Sequence, residues 1–435
     1  MMKMQENQLN FAVAGNPVSH SLSPLLFSDF AKQLDKDYCY SRILARNVND
    51  IIEVVDAFNI KGLNITSPFK KDILQFVDDK NEEVIELEAA NAIVFNKKTI
   101  AYNSDIAGVA NSLKKYINKG QNATVLGAGG AAKAAVFALK TLGVNDIFIA
   151  NRTAVKAKDI ADQFQINQIL FNDIGNKYFD IIINTIPVLN DAMINLKIND
   201  NSIVFDANYK NKPLKELAIN KKAVYIDGLE WLIEQGKESY FRMTGKKVEN
   251  LSLKDKDIEK IKERSERIAL IGSMASGKSK IGRNIAEKLG FDFVDMDDII
   301  VSREGKSIND IFNTEGEDYF RKVEKELLKE LVQKDKIVIS TGGGIVKNDE
   351  NIKLLKNNCW NILLYASPEV RSSRINVAKR PLLKGKNVKA IMETLFSERK
   401  DKYFKASDVI INRNDNDLVK DIELIYEDYY KTFRV

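Results

Sequence analysis

The sequence is poor in side chains on which much enzyme chemistry depends. Its 435 residues include one histidine, His20, and two cysteines, Cys39 and Cys359. A single histidine excludes metal sites built from several imidazoles and argues against Ser-His-Asp catalysis, so acid–base chemistry must use Lys, Asp, Glu or Tyr. The two cysteines lie in different halves of the chain, which indicates neither a disulfide framework nor a zinc knot.

Long apolar runs and blocks of one charge are also missing. No segment resembles the ~20 apolar residues that cross a bilayer, and residues 1–10 are polar, unlike a secretory signal. The net charge of +5 comes from 66 basic and 61 acidic residues spread along the chain, without a basic tract typical of nucleic-acid binding. The sequence predicts a cytoplasmic protein that binds small anionic molecules, with no nucleic-acid or membrane partner; an oligomer is possible, but no feature supports one.

Two series of short apolar segments alternate with segments of helical period. The first comprises residues 123–126, 147–150, 181–184, 203–206 and 224–227; the second starts at Ile268 and includes 293–295, 337–340 and 362–365. This alternation predicts βαβ units and parallel, doubly wound sheets. Residues 246–267 are mostly charged or polar and form either a linker or a solvated helix, so we place a boundary near residue 250. At ~150 residues per domain, the length predicts two or three folding units.

A first glycine-rich turn, Gly127-Ala-Gly129-Gly130-Ala131, joins a predicted strand to a predicted helix. Glycines at such a turn let a pyrophosphate approach the helix N-terminus, where free N–H groups favour an anion. Ala132 replaces the third glycine of the usual pattern, and such turns also occur for packing alone. The next predicted strand ends in Asn151-Arg152-Thr153, where an Arg can pair with a 2′-phosphate. This pattern favours NADP, the alternative being a helix-start Arg with an N-cap Thr.

Three further motifs make residues 10–245 resemble the shikimate dehydrogenase family. They are Gly15-Asn-Pro-Val-Ser-His20-Ser21-Leu-Ser23-Pro24, Gly62-Leu-Asn64-Ile-Thr66-Ser-Pro-Phe-Lys70 and Asn103-Ser104-Asp105. The resemblance implies that Ser21 and Ser23 bind the substrate carboxylate and that Lys70 and Asp105 are the catalytic pair. Further substrate contacts are expected at Thr66, Asn91, Tyr209 and Gln235. NADP contacts are expected at Gly127, Gly129, Gly130, Ala131, Asn151, Arg152, Thr153 and Gly228.

The chemistry of ketone reduction accounts for this catalytic pair. Hydride transfer to a carbonyl produces an alkoxide, which a nearby ammonium group can stabilise and protonate. Lys70 suits that role and Asp105 would orient it, although the sequence leaves open which of the two transfers the proton. Trp231 departs from the family pattern, because a methionine commonly stands there beside the nicotinamide.

A second glycine-rich turn, Gly272-Ser-Met-Ala-Ser-Gly277-Lys278-Ser279, is a complete G-x4-G-K-S motif after a predicted strand. The apolar residues Ile281, Ile285, Ala286 and Leu289 have the helical period expected after it. In this motif backbone N–H groups enclose phosphates, the Lys reaches the β and γ phosphates, and the Ser binds Mg²⁺. We expect ATP to contact Gly272, Ser273, Met274, Ala275, Ser276, Gly277, Lys278, Ser279 and Lys280.

A P-loop alone does not distinguish a kinase from a GTPase, but residues 266–412 resemble the shikimate kinase family. The matching elements are Asp295-Met-Asp297, Gly316-Glu317 with Arg321, Gly342-Gly343-Gly344, Lys379-Arg380-Pro381 and Arg399. The resemblance implies that Asp295 joins Ser279 at Mg²⁺ and that Asp297, Arg321, Gly343 and Arg399 hold shikimate. Arg380 would meet the transferring phosphate from a closing lid, with Asp297 and Lys278 as the other catalytic residues. Arg374 is a candidate for stacking on adenine.

Together these features predict an α/β chain with two activities. A substrate domain would cover residues 1–105 with 229–248 returning to it, a Rossmann NADP domain 106–228, a linker 249–265, and a P-loop domain of the nucleoside monophosphate kinase type with a lid 266–435. The implied function is NADPH-dependent reduction of 3-dehydroshikimate to shikimate, then ATP- and Mg²⁺-dependent phosphorylation to shikimate 3-phosphate. Two alternatives stay open: a quinate-type substrate for the first half, or one half kept as a non-catalytic ligand-sensing module.

Overall fold

The computed structural model describes residues 8–33, 38–186, 196–209, 212–249, 251, 255–375 and 387–434. Its N-terminal segment alternates strands and helices in the manner of a parallel sheet. The elements are β1 (Leu9–Gly15), α1 (Ser23–Gln33), β2 (Tyr38–Leu44), α2 (Val48–Ala57) and β3 (Ile60–Ile65).

The middle segment contains most of the first predicted series. Short 3₁₀ turns occur at Asp72–Phe76 and Phe171–Asn176. The helices and strands are β4 (Asp79–Lys80), α3 (Glu82–Leu87), β5 (Ala92–Phe95), β6 (Thr99–Tyr102), α4 (Ser104–Leu113), β7 (Asn122–Leu126), α5 (Gly130–Thr141), β8 (Asp146–Ala150), α6 (Ala154–Phe164), β9 (Asn167–Gln168), β10 (Ile181–Asn184), β11 (Ile203–Asp206), α7 (Lys215–Asn220), β12 (Val224–Ile226) and α8 (Gly228–Thr244).

The C-terminal segment contains the second predicted series and one 3₁₀ turn, Ile345–Lys347. Its elements are α9 (Asp255–Arg264), β13 (Arg267–Ile271), α10 (Lys278–Leu289), β14 (Asp292–Asp295), α11 (Met296–Glu304), α12 (Ile308–Thr314), α13 (Gly316–Leu331), β15 (Ile337–Ser340), α14 (Asp349–Asn358), β16 (Trp360–Tyr365), α15 (Pro368–Ser373), α16 (Val388–Ser397), α17 (Lys400–Ala406), β17 (Val409–Asn412) and α18 (Leu418–Phe433). The α/β class predicted from the alternation of apolar segments is confirmed.

The chain falls into two compact units, one of Met1–Asp72 with Ser252–Val435 and one of Ile73–Leu251. This division does not follow the predicted bounds at residues 105, 228 and 265, which stay a prediction. The first unit joins N- and C-terminal segments because β17 pairs with β2 in parallel, with Val409 opposite Arg42 and Ile411 opposite Leu44. Within the predicted linker, α9 forms a helix, one of the two possibilities that the charged composition left open.

The second unit contains a six-stranded parallel sheet in the order β12-β11-β10-β7-β8-β9. The chain starts at β7, runs outward to β9 on one side, and then runs from β10 to β12 on the other. This is the Rossmann order, and its ligand crevice lies at the carboxyl end of the strand where the direction reverses. The strands are buried on both faces, as Ile181–Asn184 illustrates, because helices cover a parallel sheet on both sides.

The first unit contains eight parallel strands in the order β14-β15-β13-β16-β17-β2-β1-β3. Strand β13 lies between β15 and β16, so the chain direction reverses there too. The P-loop follows β13 and is therefore placed at a switch point, where open α/β sheets bind ligands.

The helix after the P-loop has the apolar face that its sequence predicts. In α10, Ile281, Ile285 and Ala286 are buried beneath a polar outer surface, because residues three and four positions apart share one face of a helix. None of the helices in the described ranges is long and apolar enough to cross a membrane.

Candidate active sites

The turn after β7 has the geometry of a dinucleotide-binding turn. Gly127 has φ +116°, and a Cβ there would lie 2.2 Å from Thr185 Oγ1, so no other residue fits. Gly129 is the N-cap of α5 and makes no side-chain cap bond. Among the described residues, no atom lies within 4 Å of a Cβ placed at Gly129 or Gly130. The described part of the turn therefore leaves room at the start of α5, as close approach of a pyrophosphate requires.

The residues expected to select NADP follow β8, the neighbour of β7. Asn151 donates from Nδ2 to the Thr153 carbonyl at 3.1 Å, and Arg152 is exposed. Thr153 occupies the N-cap position of α6, but its side chain makes no cap hydrogen bond. The hydroxyl is thus not used for capping, which leaves it and Arg152 available to a 2′-phosphate.

A polar cluster surrounds the start of α4 in the second unit. Asn91 Oδ1 accepts hydrogen bonds from Ser104 N at 2.7 Å and Ser104 Oγ at 3.1 Å. Asn91 Nδ2 lies 3.5 Å from Gln235 Oε1. Asn103 caps the helix by accepting from Asp105 N at 3.2 Å, which places the buried Asp105 in the first turn. Three predicted site residues, Asn91, Asp105 and Gln235, are therefore gathered around one helix end.

Trp231 explains how α4 and α8 are held together. Its Nε1 donates to the Asp105 carbonyl at 3.0 Å, and a Cβ at Gly108 would lie 2.5 Å from the indole. The ring also packs edge-on against Phe205, with centroids 5.7 Å apart. The tryptophan that departs from the family pattern is thus a buried support for the backbone that carries Asp105.

Gly228 begins α8 against the segment that follows β11. A Cβ at Gly228 would lie 2.6 Å from the Ala207 carbonyl oxygen, so this approach needs a glycine. Tyr209 is half-buried two residues further along that segment. The structure therefore brings the predicted Gly228 close to the strand end that leads to Tyr209.

In the first unit, two predicted motifs lie beside each other after β1 and β3. Thr66 N donates to the Ala14 carbonyl at 2.9 Å and Asn16 N to the Ser67 carbonyl at 3.1 Å. Ser21 Oγ lies 3.2 Å from Ser23 Oγ and accepts from Ser23 N at 3.3 Å.

These two motifs carry four of the predicted site residues. Parallel neighbouring strands end at one edge of the sheet, so Ser21, Ser23 and Thr66 share that edge. Lys70, four residues after Thr66, is half-buried.

The P-loop adopts a left-handed backbone at three positions. Gly272 has φ +140°, Ala275 +64° and Gly277 +96°. Lys278 Nζ donates to the carbonyls of Gly272 at 2.9 Å and Ser273 at 3.1 Å. Seven of the nine predicted ATP contacts line a cavity of about 520 Å³, the exceptions being Gly272 and Ser276.

Two arginines donate hydrogen bonds to backbone carbonyls of the P-loop. Arg413 Nη1 donates to the Ser276 carbonyl at 2.5 Å, and Arg413 Nε pairs with the fully buried Asp421 at 2.7 Å. Arg374 donates to the carbonyls of Ala275 at 3.4 Å and Arg413 at 2.7 Å. Arg374, expected to stack on adenine, is therefore bonded to the loop backbone. The sequence analysis missed Arg413, whose one signal is its place directly after a buried strand.

Oxygen ligands suited to Mg²⁺ lie at the end of β14. Ser279 Oγ donates to Asp295 Oδ2 at 2.5 Å and lies 3.3 Å from Ser340 Oγ. No cluster of three His, Cys, Asp or Glu in the described part of the chain could enclose a metal alone. Mg²⁺ suits such a sparse oxygen set, since it keeps several waters and uses one or two protein ligands with substrate phosphates. Ser279 and Asp295 therefore fit the predicted ion.

Asp297 follows two residues later and has an altered acidity. Burial raises the pKa of Asp297 above its usual range, and the nearby Asp295 carboxylate adds a smaller effect in the same direction. The positive charges of Lys278 and Arg321 lower the pKa and oppose this shift in part. Asp297 N donates to Asp295 Oδ1 at 3.1 Å, so Asp295 also caps α11. A carboxylate with a raised pKa is a better proton acceptor, as a general base requires.

The triple glycine is surrounded by charged side chains. A Cβ at Gly344 would lie 2.3 Å from Arg321 Nη2, and one at Gly342 would lie 2.8 Å from Glu324 Oε1. Arg321 pairs with Glu317 at 3.1 Å and with the buried Glu324 at 2.8 Å. Arg321 does not line the 520 Å³ cavity as the described residues define it.

Arg399 approaches the same turn from the start of α17. Its Nη1 donates to the Gly343 carbonyl at 3.2 Å, and Tyr403 Oη donates to the same oxygen at 2.5 Å. Arg399, Gly343 and Asp297 all line the cavity with the P-loop. Arg371, a buried residue that the sequence analysis missed, lines it too and donates from Nε to the Ala366 carbonyl at 2.9 Å. Arg380 and its part of the lid lie outside the described residues.

The geometry of the two sites indicates two classes of enzyme. A Rossmann turn followed by Arg152 suits NADP and therefore an oxidoreductase, and a P-loop that lines one cavity with Asp297 and Arg399 suits a small-molecule phosphotransferase. Three family models match the chain: the shikimate dehydrogenase substrate binding domain at residues 13–93, shikimate / quinate 5-dehydrogenase at 110–208, and shikimate kinase at 274–429.

Individual proteins agree with the family models. Shikimate dehydrogenase (NADP(+)) of Maridesulfovibrio salexigens is 30% identical over 265 residues, 58% of this chain and 97% of the relative. The bifunctional shikimate kinase/3-dehydroquinate synthase of Thermotoga maritima is 53% identical over 117 residues, 27% of this chain and 24% of the relative. A shikimate dehydrogenase structure from Aquifex aeolicus shares 30% identity and a TM-score of 0.51, covering 57% of this chain and 96% of that one. The chain belongs to the shikimate dehydrogenase family and carries a shikimate kinase domain in its C-terminal half.

Proposed function

We propose that this chain catalyses two consecutive reactions, the NADPH-dependent reduction of 3-dehydroshikimate to shikimate and the ATP-dependent phosphorylation of shikimate to shikimate 3-phosphate. The observation that carries the proposal is the 520 Å³ cavity, whose wall combines the P-loop with Asp295, Asp297 and Arg399. These groups suit a nucleotide, its metal and a hydroxy acid at once. Because the rest of the chain belongs to the dehydrogenase family, the product of one half is the substrate of the other.

In the dehydrogenase half, Ser21 and Ser23 donate hydrogen bonds to the substrate carboxylate. NADPH, when bound, would supply the hydride that reduces the carbonyl. The Lys70 ammonium stabilises the charge that develops on the carbonyl oxygen, Asp105 orients the lysine, and one of this pair donates the proton that completes the alcohol. These roles rest on the family resemblance, and the arrangement around α4 supports them because Asn91 and Asn103 fix the backbone on which Asp105 lies.

In the kinase half, Asp297 accepts the proton of the attacking 3-hydroxyl, and its raised pKa favours this role. Arg399 binds the substrate carboxylate beside Gly343, and Arg321 joins it when its pairing with Glu317 opens. Lys278 neutralises charge on the phosphoryl oxygens, with Arg380 as a second cation. Ser279 and Asp295 would hold Mg²⁺, which would supply further positive charge against the transferring phosphoryl group.

A coupled assay with 3-dehydroshikimate, NADPH and Mg-ATP tests both assignments. Lys70→Ala should abolish only the reduction, and Lys278→Ala only the phosphorylation. The matched controls are the neighbouring exposed Lys71→Ala and, on the P-loop helix, Lys288→Ala, which should keep both activities. If both reactions survived Lys70→Ala and Lys278→Ala, the site assignments would be wrong.

The same assay separates the alternatives. A preference for quinate with NAD over shikimate with NADP would replace our substrate assignment for the first half. Absence of one reaction in the unaltered chain would make that half a ligand-sensing module. We further propose that both reactions take place in the cytoplasm, where cell fractionation should find the two activities together.

A further inference from the structure

A second cavity, of about 340 Å³, lies in the first unit, and none of its described lining residues belongs to the 520 Å³ cavity. N-terminal residues of α1, β1 and β2 line one side, and residues of α9, α14, β16 and α17 line the other. Aromatic rings form much of the wall: Phe11, Phe27, Tyr40, Trp360 and Phe404. None of the predicted catalytic or binding residues contributes to it. We call it the junction cavity.

The junction cavity has an excess of positive charge. Among the described residues that line it, Arg42, Arg264, Lys356 and Lys405 are cations and Asp408 is the one carboxylate. Asp408 already pairs with Arg264 and lies 3.6 Å from Lys356 Nζ. Four cations against one carboxylate leave an excess of three positive charges, which favours an anionic ligand.

Arg42 is buried in the wall of this cavity. It is only 3% exposed, and its guanidinium stacks 5.0 Å from the Trp360 ring centre. Two of its nitrogens donate to the carbonyls of Ser21 at 2.7 Å and Asp408 at 3.3 Å. Its Nε is buried and has no hydrogen-bond partner among the described residues, although buried donors are nearly always paired. Burial lowers the pKa of Arg42 to about 10; the charge of Arg264 adds to this effect, and the Asp408 carboxylate acts against it. A bound anion would favour the charged guanidinium and so offset the cost of burying it.

We propose that the junction cavity binds a small carboxylate attached to a planar, unsaturated ring. The carboxylate pairs with Arg42 and the lysines, and the ring lies against Trp360 and Tyr40. The volume is near the lower end of the ~300–1,000 Å³ typical of ligand pockets, which suits a molecule with a single ring.

The site is connected to the dehydrogenase substrate motifs by two hydrogen bonds. Arg42 donates to the carbonyl of Ser21, and Tyr40 Oη donates to Asn64 Oδ1 at 2.8 Å, in the motif that carries Thr66 and Lys70. A ligand that moves Arg42 or Tyr40 therefore changes the position of groups that bind the substrate. This coupling, unlike the binding itself, rests on the proposed dehydrogenase function.

Trp360 makes direct binding measurable, because the chain has only two tryptophans. In Trp231→Phe, the remaining indole lies in the junction cavity. Titration with benzoate, in the presence of saturating shikimate to occupy both active sites, should change its fluorescence saturably. Benzamide, the neutral isostere, should leave it unchanged. A benzamide response equal to that of benzoate, or no saturable response to benzoate, would overturn the site.

Variants of the two lysines, one half-buried (Lys356) and one exposed (Lys405), carry less folding risk than a change of the buried Arg42. Lys356→Gln and Lys405→Gln should each raise the benzoate Kd at least threefold. Lys402→Gln, on the same helix as Lys405 but outside the cavity, should not. Equal Kd values in all three variants would show that benzoate binds elsewhere.

The coupling has its own readout in the chain with Trp231 intact. Benzoate should change the dehydrogenase KM for shikimate at least twofold, and Lys405→Gln should reduce that effect. Binding with an unchanged KM would overturn the coupling. If the chain failed to oxidise shikimate when benzoate is absent, that result would instead contradict the proposed function.

Discussion

Asp428 on the last helix holds the start of the dehydrogenase substrate motif. Its Oδ1 accepts hydrogen bonds from Val18 N at 2.6 Å and Ser19 N at 3.0 Å, and its Oδ2 accepts from Ser19 Oγ. The carboxylate is 3% exposed, so these bonds are strong and charge-assisted. A residue of the kinase half therefore positions the backbone that leads to Ser21 and Ser23.

We expect Asp428→Asn to raise the dehydrogenase KM for shikimate by about tenfold, or ~1.4 kcal/mol. The amide oxygen can still accept from Val18 N and Ser19 N, but it carries no negative charge, and the NH2 group now faces Ser19 Oγ, which must turn from donor to acceptor. The weaker hold on the backbone should let the motif shift. The kcat should change less than KM, because Asp428 touches no reacting atom, and the kinase KM for ATP should stay constant. Glu427→Gln, the exposed neighbour, is the control. A fall in kcat alone would contradict this positioning role.

The dinucleotide turn offers a pair of glycines with opposite expected behaviour. Gly129 has a negative φ, and a methyl group there would meet no atom of the described residues, so the fold should tolerate Gly129→Ala. The added methyl group would nevertheless obstruct the pyrophosphate, and we expect KM for NADPH to rise about tenfold with an unchanged Tm. Gly127→Ala should instead lower the Tm, because it adds a collision with Thr185 to a left-handed backbone. Thermal unfolding and NADPH titration measure both, and the reverse pattern would remove Gly129 from the cofactor site.

Arg152 should determine the preference for the phosphorylated cofactor. A lost charge-assisted hydrogen bond costs ~1.5–3 kcal/mol, so Arg152→Gln should raise KM for NADPH about 10- to 100-fold. KM for NADH should hardly change, because NADH lacks the 2′-phosphate that Arg152 would bind. Lys156→Gln, exposed on the next helix, serves as the control for general charge loss. Equal effects on both cofactors would assign Arg152 another role.

Local patterns predicted the parts of this chain whose structure depends on nearby residues. Strands β7, β8, β10 and β11 match apolar runs because a parallel strand is buried on both faces. The P-loop followed from its spacing, since a strand, a glycine turn and a helix lie within one short segment. The NADP turn was recognisable for the same reason.

Pairings between distant residues were beyond the sequence analysis. Nothing in residues 38–44 indicates that β2 pairs with β17, whose partners lie more than 360 positions away. Arg413 and Asp428 look like ordinary surface charges in sequence, and only folding buries them beside the P-loop and the substrate motif. The place of Glu324 beside Arg321 and Gly342 also depends on how α13 packs against the glycine turn, which no local pattern predicts.

The raised pKa of Asp297 gives the kinase a distinctive dependence on pH. As a base it must be ionised, so kinase kcat/KM should fall with decreasing pH at a midpoint above 3.8, the usual Asp value. Asp298→Asn removes one neighbouring negative charge that contributes to the shift, so it should move this midpoint to lower pH. The dehydrogenase profile, measured on the same samples, should not move with it. An unchanged kinase midpoint in Asp298→Asn would contradict the electrostatic origin of the shift.

The contribution of Asp297 to folding stability should change with pH in the direction opposite to its contribution to kinase activity. With the folded pKa above the unfolded one, the folded state binds more protons between the two values, so this group's contribution to stability falls as pH rises through that window. Asp297→Asn should therefore abolish phosphorylation while raising the free energy of unfolding at neutral pH. Urea unfolding at two pH values provides the measurement. A loss of both activity and stability would mean that the carboxylate serves the fold.

Arg413 tests whether the P-loop needs its buried support. Removing one partner of a buried ion pair costs ~3–5 kcal/mol, so Arg413→Gln should lower the free energy of unfolding by about that amount. It should also raise the kinase KM for ATP, because the Ser276 carbonyl in the P-loop loses its hydrogen bond from the guanidinium. Arg283→Gln, an exposed arginine on α10 that lies 3.6 Å from Asp298, should change stability by less than ~1 kcal/mol. The dehydrogenase KM for NADPH should be unchanged, because Arg413 lies in the unit that holds the P-loop and the Rossmann sheet lies in the other. If Arg413→Gln lowered stability but left the ATP affinity intact, Arg413 would support the fold without shaping the phosphate site.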